Sequence, residues 1–262
     1  MYSACVRVTL VILCAASLLL TPLLSSEEFN YSDPQKWGRE SPEYALCSAG
    51  KQQSPIDIIT KDVIVNKTLQ PLTRDYHIYN ATLFTDGIEV EVVFSGKGEV
   101  VMDGKIYKLK QMHWHAPSEH RLNGVQYDVE LHQVHASSDG SRTVVGVLFK
   151  YGPPNQLLSM LKPQLDELAI NPCQGHPQQV TIPRFESLYV RRRPRDYYRY
   201  VGSLTTPPCD ENVLWIVLTK VKTISKDQVA TLKAPLCEAN KRKNARPTQA
   251  LNGRTVQLYS GL

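Results

Sequence analysis

The chain has 262 residues, of which 42% are hydrophobic and 21% charged, and its formal net charge is +5 at neutral pH. This length and composition are typical of an ordinary folded protein with a large buried core. The basic residues are scattered except at Arg191, Arg192, Arg193 and Arg195, and this run lacks the aromatic platform that single-stranded nucleic acid needs. We therefore interpret the run as a solvated loop and expect no nucleic-acid partner.

The N-terminus is typical of a secretory signal peptide. Arg7 is followed by an apolar run from Val8 to about Leu24, which Pro22 interrupts. The run is short and two acidic residues follow it, which favours cleavage over the alternative of a membrane anchor. We expect a signal peptide at 1–26 and one mature domain at 27–262, without a membrane span.

Cysteines and sequons agree with the secretory route. Four cysteines lie beyond the signal peptide and would enter an oxidising compartment: Cys47, Cys173, Cys209 and Cys237. Four cysteines can pair in three ways, and the sequence does not choose among these pairings. Glycosylation is expected at three Asn-x-Ser/Thr sequons, which begin at Asn30, Asn66 and Asn80. The expected location is extracellular, with delivery to a plastid through the secretory pathway as the alternative.

Short runs rich in Val, Ile, Thr and Tyr between Gly, Pro, Asn and Asp turns predict a β-rich protein. The predicted strands are Ala81 to Phe84, Glu89 to Ser95, Glu99 to Met102, Lys105 to His115, Val125 to Ala136, Thr143 to Tyr151 and Val213 to Leu218. Helical periodicity predicts two helices, Asn155 to Leu168 and Ser225 to Leu232. The expected fold is a single α+β domain, predominantly β, built on a large twisted, mainly antiparallel sheet with a few short peripheral helices.

Five of the seven histidines lie between residues 113 and 135. On the strand that ends at His115, alternation places Gln111, His113 and His115 on one face, and Glu130 and His132 share a face of the returning strand. Three imidazoles from two antiparallel strands can hold a tetrahedral zinc ion with one position open, an arrangement typical of catalytic sites. The two polar residues are placed to accept the spare imidazole N–H groups. The alternative is a set of core or surface histidines without a metal.

Three blocks of the chain resemble the alpha carbonic anhydrases, in places the plant members. The resemblance spans about Trp37 to Leu258 and is carried by Gln53-Ser-Pro-Ile-Asp-Ile58, by Gln111 to His135, and by Gly202-Ser-Leu-Thr-Thr-Pro-Pro-Cys209 with Trp215-Ile-Val-Leu218. It implies a Zn²⁺ cofactor on His113, His115 and His132. It also implies the reversible hydration of carbon dioxide to bicarbonate and a proton by a zinc-bound hydroxide.

The resemblance also assigns roles around the metal. Thr205 is expected to accept a hydrogen bond from the hydroxide and to pass its own proton toward Glu119. The substrate pocket is expected to be lined by Val134, Val144, Leu204, Thr206 and Trp215. A disulfide between Cys47 and Cys209 is implied, which leaves the other two cysteines either free or paired with each other.

One departure from the family concerns proton release. Fast members carry a histidine at the cavity position that aligns here with Ile88, and isoleucine does not titrate. We expect slower, more buffer-dependent turnover unless Glu91 or His77 takes over.

Two other functions remain open at this point. A noncatalytic storage or binding protein on the same scaffold is disfavoured because all three histidines are kept, together with Glu119 and Thr205. Ester hydrolysis by the same nucleophile is not excluded as a side activity. The expected partners are small molecules, carbon dioxide and bicarbonate, and the oligomeric state is not predicted.

Overall fold

The structure is a computed structural model that describes residues 29–76, 79–95, 98–173, 176–185, 196–237, 240 and 243–261. The predicted signal peptide at 1–26, His77 and the arginine run at 191–195 lie outside these residues.

The described residues form four α-helices, two short 3₁₀ turns and sixteen strands. The helices are α1 (Trp37–Glu40), α2 (Leu46–Ala49), α3 (Gln156–Leu168) and α4 (Lys226–Lys233), and the 3₁₀ turns are Pro42–Tyr44 and Thr60–Asp62. The strands are β1 (Asp57–Ile58), β2 (Ile64–Val65), β3 (Thr73–Tyr76), β4 (Tyr79–Thr85), β5 (Val90–Phe94), β6 (Gly98–Met102), β7 (Lys105–His115), β8 (Arg121–Leu122), β9 (Val125–Gln126), β10 (Val129–Ala136), β11 (Arg142–Tyr151), β12 (Gln178–Phe185), β13 (Asp196–Ser203), β14 (Glu211–Leu218), β15 (Lys222–Ile224) and β16 (Gln257–Ser260).

One large sheet dominates the described part of the chain. Thirteen strands belong to it, and its main path runs β12-β4-β5-β7-β10-β11-β14-β13-β16-β2. Most neighbours are antiparallel, while β14 and β15 pair with β11 in parallel and β2 pairs with β16 in parallel. Strands β1, β8 and β9 form a small second sheet. The expected predominantly β fold on a mainly antiparallel sheet is therefore confirmed.

The central strands are buried on both faces, and alternation divides their side chains between two cores. Met112, Trp114 and Leu131 belong to the larger core, which α3 and α4 complete from one side of the sheet. Val144 and Trp215 belong to a second core on the opposite face. The imidazoles of His113, His115 and His132 point to this second face because they alternate with the residues of the larger core.

The two longer helices lie where they were predicted, and each begins after a capping residue. Asn155 accepts hydrogen bonds from the backbone of the first turn of α3, and Ser225 forms a capping box with Gln228 at the start of α4. Each side chain satisfies amide groups that the helix leaves without partners, which sets the first residue of the helix. Among the described residues, no helix combines the length and the apolar run that a bilayer span requires.

The structure divides one predicted strand into two. The sequence predicts a single strand from Val125 to Ala136, whereas β9 ends at Gln126 and β10 begins at Val129. The physical reason is a change of partner. Val125 and Gln126 pair with β8 in the small sheet, while Val129 onward pairs with β7 and β11.

Candidate metal centre and its cavity

The histidine triad is built by the pairing of β7 with β10. His132 lies directly opposite His113 in the antiparallel ladder, and His115 lies two residues further along β7 on the same face. All three side chains are buried, with exposed fractions of 7% for His113, 0% for His115 and 1% for His132. The sheet therefore fixes the relative position of the three rings before any ligand binds.

The two rings of the triad on β7 donate their outward-facing N–H groups to fixed oxygen atoms. His113 Nδ1 donates to Gln111 Oε1 at 2.8 Å, and His115 Nδ1 donates to the backbone oxygen of Asn244 at 2.7 Å. A carbonyl oxygen accepts and does not donate, so the ring nitrogen facing it carries the proton. The Nε2 atoms of both rings consequently present lone pairs toward the centre of the triad.

The third ring is held by a buried carboxylate. His132 Nε2 donates to Glu130 Oε1 at 2.9 Å, and the same oxygen accepts from His120 Nδ1 at 2.7 Å. Burial alone would raise the pKa of Glu130, but the two imidazoles hold it well below its usual range. A side chain at Gly146 would place its Cβ 2.9 Å from this oxygen, so the glycine makes room for the carboxylate.

The three inward nitrogens lie close together. His115 Nε2 is 3.1 Å from His132 Nδ1, and His132 Nδ1 is 3.3 Å from His113 Nε2. Because the opposite nitrogens carry the protons, these short separations join atoms that present lone pairs to each other. A cation between them removes the repulsion, and nitrogens about 2.0–2.1 Å from a tetrahedral zinc ion are roughly 3.3 Å apart. The donor set and its spacing therefore fit zinc.

A buried carboxyl faces the triad from the other side. Glu119 Oε1 accepts from the backbone N–H of Arg246 at 2.8 Å, while Oε2 lies 3.6 Å from His115 Nε2 and 3.9 Å from His132 Nδ1. Burial raises the pKa of Glu119 to about 6, against the opposing effects of His115, the Arg246 amide and the Thr205 hydroxyl. Oε2 has no hydrogen-bond partner of normal geometry within the described structure, and the Thr205 hydroxyl lies close enough to the carboxyl to lower its pKa. Oε2 is therefore the carboxyl oxygen that remains open to a donor.

Comparison with known proteins identifies the family. The family model for eukaryotic-type carbonic anhydrase matches residues 32–260. The chain belongs to the carbonic anhydrase family. Alpha carbonic anhydrase 7 of Arabidopsis thaliana is 38% identical over 238 residues, which cover 88% of this chain and 85% of that protein.

Solved structures agree with this assignment. Dioscorin complexed with ascorbate has a TM-score of 0.85 and 36% identity, and the match covers 90% of this chain and 99% of dioscorin. The alpha carbonic anhydrase of Thermovibrio ammonificans, in complex with the inhibitor sulfanilamide, has a TM-score of 0.78 and 39% identity, covering 88% and 98%. The predicted membership of the alpha carbonic anhydrases, with plant relatives, is confirmed.

A cavity with a volume of about 320 Å³ includes His113 and His132 of the triad in its lining. The cavity is lined by all five residues predicted for the substrate pocket: Val134, Val144, Leu204, Thr206 and Trp215. The catalytic candidate Thr205 lines it as well. The ladders explain their proximity, since Val134 pairs with Val144 and Val144 pairs with Trp215. One wall of the cavity is therefore apolar and continuous with the second core.

The opposite wall is acidic. Asp86, Glu89 and Glu91 line the cavity, whereas Ile88 is only 5% exposed and does not. Ile88 instead packs with a cluster that contains Trp37 and both cysteines of one disulfide. The expectation that residue 88 occupies a cavity position is therefore wrong in this chain, because an apolar side chain gains more by entering that cluster than by facing water.

Two disulfides join distant parts of the chain, which confirms the expectation of disulfide bonds. Cys47 is bonded to Cys209 and Cys173 to Cys237. The first lies beside the Thr205 loop, where the Cys209 amide donates to the oxygen of Thr206 at 2.9 Å. The cysteines whose pairing the sequence left open are thus bonded to each other.

The second disulfide touches the acidic cavity wall. The Cys237 amide donates to the oxygen of Gly87 at 2.8 Å, and a Cβ on Gly87 would lie 2.4 Å from Cys237 Sγ.

The sequons lie at the surface, with Asn30 and Asn80 exposed and Asn66 partly exposed.

Sequence reasoning missed several residues of the site. Asn244 and Arg246 lie in an irregular segment, so no periodicity marked them, and they reach the triad only through tertiary contact. His120 was noticed only as one of the clustered histidines, yet its Nε2 hydrogen-bonds to the Tyr200 hydroxyl at 2.7 Å. The one available signal was the position of His120 beside Glu119 in the histidine block.

Proposed function

We propose that this protein catalyses the zinc-dependent, reversible hydration of carbon dioxide to bicarbonate and a proton. The observation that supports it most is the convergence of three imidazole lone pairs, each fixed by an acceptor on the far side of its ring. His113, His115 and His132 would hold the zinc ion, which would supply a nucleophile at neutral pH by lowering the pKa of a bound water to about 7. Disulfides, a predicted signal peptide and three surface sequons support a secreted glycoprotein.

Thr205 and Glu119 orient the nucleophile. The Glu119 carboxyl already accepts a hydrogen bond from the Arg246 amide on Oε1. Its Oε2, which has no other partner, is therefore the atom that accepts a hydrogen bond from the Thr205 hydroxyl. A hydroxyl that donates in this direction keeps its lone pairs for the cavity, where they accept a hydrogen bond and hold the attacking oxygen toward the substrate carbon. The direction of the Thr205 hydroxyl is therefore the proposed determinant of productive attack.

The apolar wall holds the substrate. Carbon dioxide carries no charge and suits an apolar surface, to which water binds weakly. Such a surface lies beside the triad and is formed by Val134, Val144, Leu204 and Trp215. Thr206 lies on the polar side, where the more hydrophilic product can leave.

Proton release is proposed to depend on buffer. Among the described residues that line the cavity, the two histidines are His113 and His132, which are proposed ligands and do not serve as relays. Burial, followed by the charges of Glu89 and Asp86, raises the pKa of the cavity residue Glu91 to about 7. A carboxyl of that pKa exchanges protons near neutrality, but Glu91 is a single carboxyl and not an imidazole.

Stopped-flow hydration of carbon dioxide by the purified mature protein tests the proposal, with zinc measured on the same sample and the buffer concentration varied. Activity proportional to zinc that rises with buffer is the expected result. A zinc-replete protein without activity would overturn it. A His132→Ala variant, which removes one ligand, is the matched negative control.

A second candidate is a noncatalytic storage or binding protein on the same scaffold. It is favoured by the likeness to dioscorin, whose solved structure contains ascorbate. It is disfavoured by the retention of the triad, Glu119 and Thr205. The same stopped-flow measurement separates the two candidates, and ester turnover on that preparation shows whether hydrolysis is more than a side activity.

A further inference from the structure

Glu89 places a second carboxylate next to a proposed zinc ligand. Its Oε1 lies 3.7 Å from His115 Nδ1, and its side chain is only 14% exposed. The Nδ1 proton is already donated to the Asn244 oxygen at 2.7 Å. Glu89 therefore acts on this ring through its charge and not as a hydrogen-bond acceptor.

The carboxylate is held in this position from two directions. Tyr31, which is 4% exposed, donates its hydroxyl to Glu89 Oε1 at 2.6 Å. Burial first, and then the charge of Glu89, raise the pKa of Tyr31 well above 10, so the hydroxyl keeps its proton and remains a donor. On the backbone side, the Glu89 amide donates to Asp86 Oδ1 at 3.1 Å and its oxygen accepts from the Thr85 hydroxyl at 2.7 Å.

The ring of His115 lies between two carboxyl groups. Glu89 Oε1 is 3.7 Å from its Nδ1, and Glu119 Oε2 is 3.6 Å from its Nε2. The charged and titratable groups around Glu89 are Tyr31 from the N-terminal segment, His115 from β7, and Asp86 and Glu91 from its own loop and strand.

We infer that Glu89, clamped by Tyr31, is a positioning residue that makes His115 a more electron-donating zinc ligand. The inference rests on the proposed function and deepens it, since no sequence pattern assigned a role to either residue. Groups around a ligand that hold it in place and tune its basicity typically change metal affinity by 10- to 100-fold. A fixed negative charge also disfavours any deprotonation that adds negative charge at the metal.

The experiment compares Glu89→Gln with Glu91→Gln in the full mature protein. Glutamine keeps the size of Glu89 and can still accept from Tyr31, so the variant is expected to fold, which thermal unfolding checks. Above the Glu91 pKa of about 7, where this carboxyl is mostly ionised, Glu91→Gln removes a charge from the same cavity wall. Within the described structure Glu91 has no ion pair with a histidine, so both variants are compared in this pH range. Zinc affinity is measured by competition with a chelator. The pH midpoint of the visible spectrum is measured on the cobalt-substituted protein.

For Glu89→Gln we expect zinc affinity to fall about tenfold and the pH midpoint to fall by on the order of half a unit, with smaller changes in Glu91→Gln. Tyr31→Phe should give part of the effect in the wild-type background and none on top of Glu89→Gln. Equal shifts of zinc affinity and pH midpoint in both glutamine variants, or none in Glu89→Gln, would overturn this inference and leave the proposed function standing. A wild-type protein that takes up no zinc would overturn the proposed function as well.

Discussion

Arg246 donates its backbone N–H to Oε1 of Glu119 at 2.8 Å, across 127 residues of chain. Its guanidinium extends away from that contact, over the ring of Trp37. There it donates to Gln53 Oε1 and to the Ser54 oxygen, both at 2.8 Å, and to the Cys47 oxygen at 2.7 Å. The side chain thus anchors the amide that fixes the Glu119 carboxyl, the proposed catalytic group.

Replacing this anchor should damage both stability and activity. Arg246→Lys leaves at least one buried acceptor without a donor, because an ammonium does not reproduce the planar fork of a guanidinium. We expect a loss of about 2–4 kcal/mol in the free energy of unfolding by urea, with reduced turnover. Arg254→Lys, at a more exposed arginine that also donates to backbone oxygens, is the control and should cost less. Equal effects of the two substitutions would contradict the anchoring role.

Acid should destabilise the protein through His135. This buried ring is hydrogen-bonded to the Tyr76 hydroxyl, and burial lowers its pKa to about 3. Between pH 6.5 and 3 the unfolded chain binds a proton that the folded protein does not, so stability falls as the pH falls through this window. Each pH unit costs about 1.4 kcal/mol. Urea unfolding at pH 7, 6 and 5 should show a shallower decline for His135→Gln, and parallel profiles would refute the prediction.

Filling the apolar wall should block the substrate while sparing the metal. Val144 is 2% exposed and lines the cavity beside Trp215. We expect Val144→Phe to lower carbon dioxide hydration by roughly a hundredfold, because small displacements of the reacting groups cost that much, with zinc affinity nearly unchanged. Val201→Phe, at a position that is 43% exposed, is the control. Unaltered turnover in Val144→Phe would show that the substrate does not use this wall.

The second disulfide should contribute to stability and to the shape of the acidic wall. Its loop spans 64 residues, and closing a loop of that size stabilises a fold by roughly 3–5 kcal/mol in the chain-entropy model. A Cys173→Ser/Cys237→Ser double variant should therefore unfold at a lower temperature in a scanning measurement. It should also show faster hydrogen exchange of the amide of residue 237, which donates to the Gly87 oxygen in the native protein. Unchanged exchange of that amide would show that the disulfide does not hold the acidic wall in place.

The triad was the most predictable part of the molecule, because strand alternation is a local property. The strand Lys105 to His115 was predicted with its observed bounds, and its period of two places His113 and His115 on one face. Asn244 and Glu89 were not predictable as neighbours of His115, since no local pattern relates a loop to a ring that another part of the chain supplies. The burial of Ile88 likewise depends on the disulfide cluster behind it.

The long-range contacts of Asn244 and Arg246 set an order of events during biosynthesis. Folding on the ribosome proceeds from the N-terminus, so the three histidines emerge well before the segment that fixes His115 and Glu119 from 129 and 127 residues away. A chain that ends before Asn244 carries every proposed metal ligand but lacks the groups that fix His115 and Glu119. Maturation of the site is therefore a late step, completed only after Asn244 and Arg246 have entered the compartment where the chain folds.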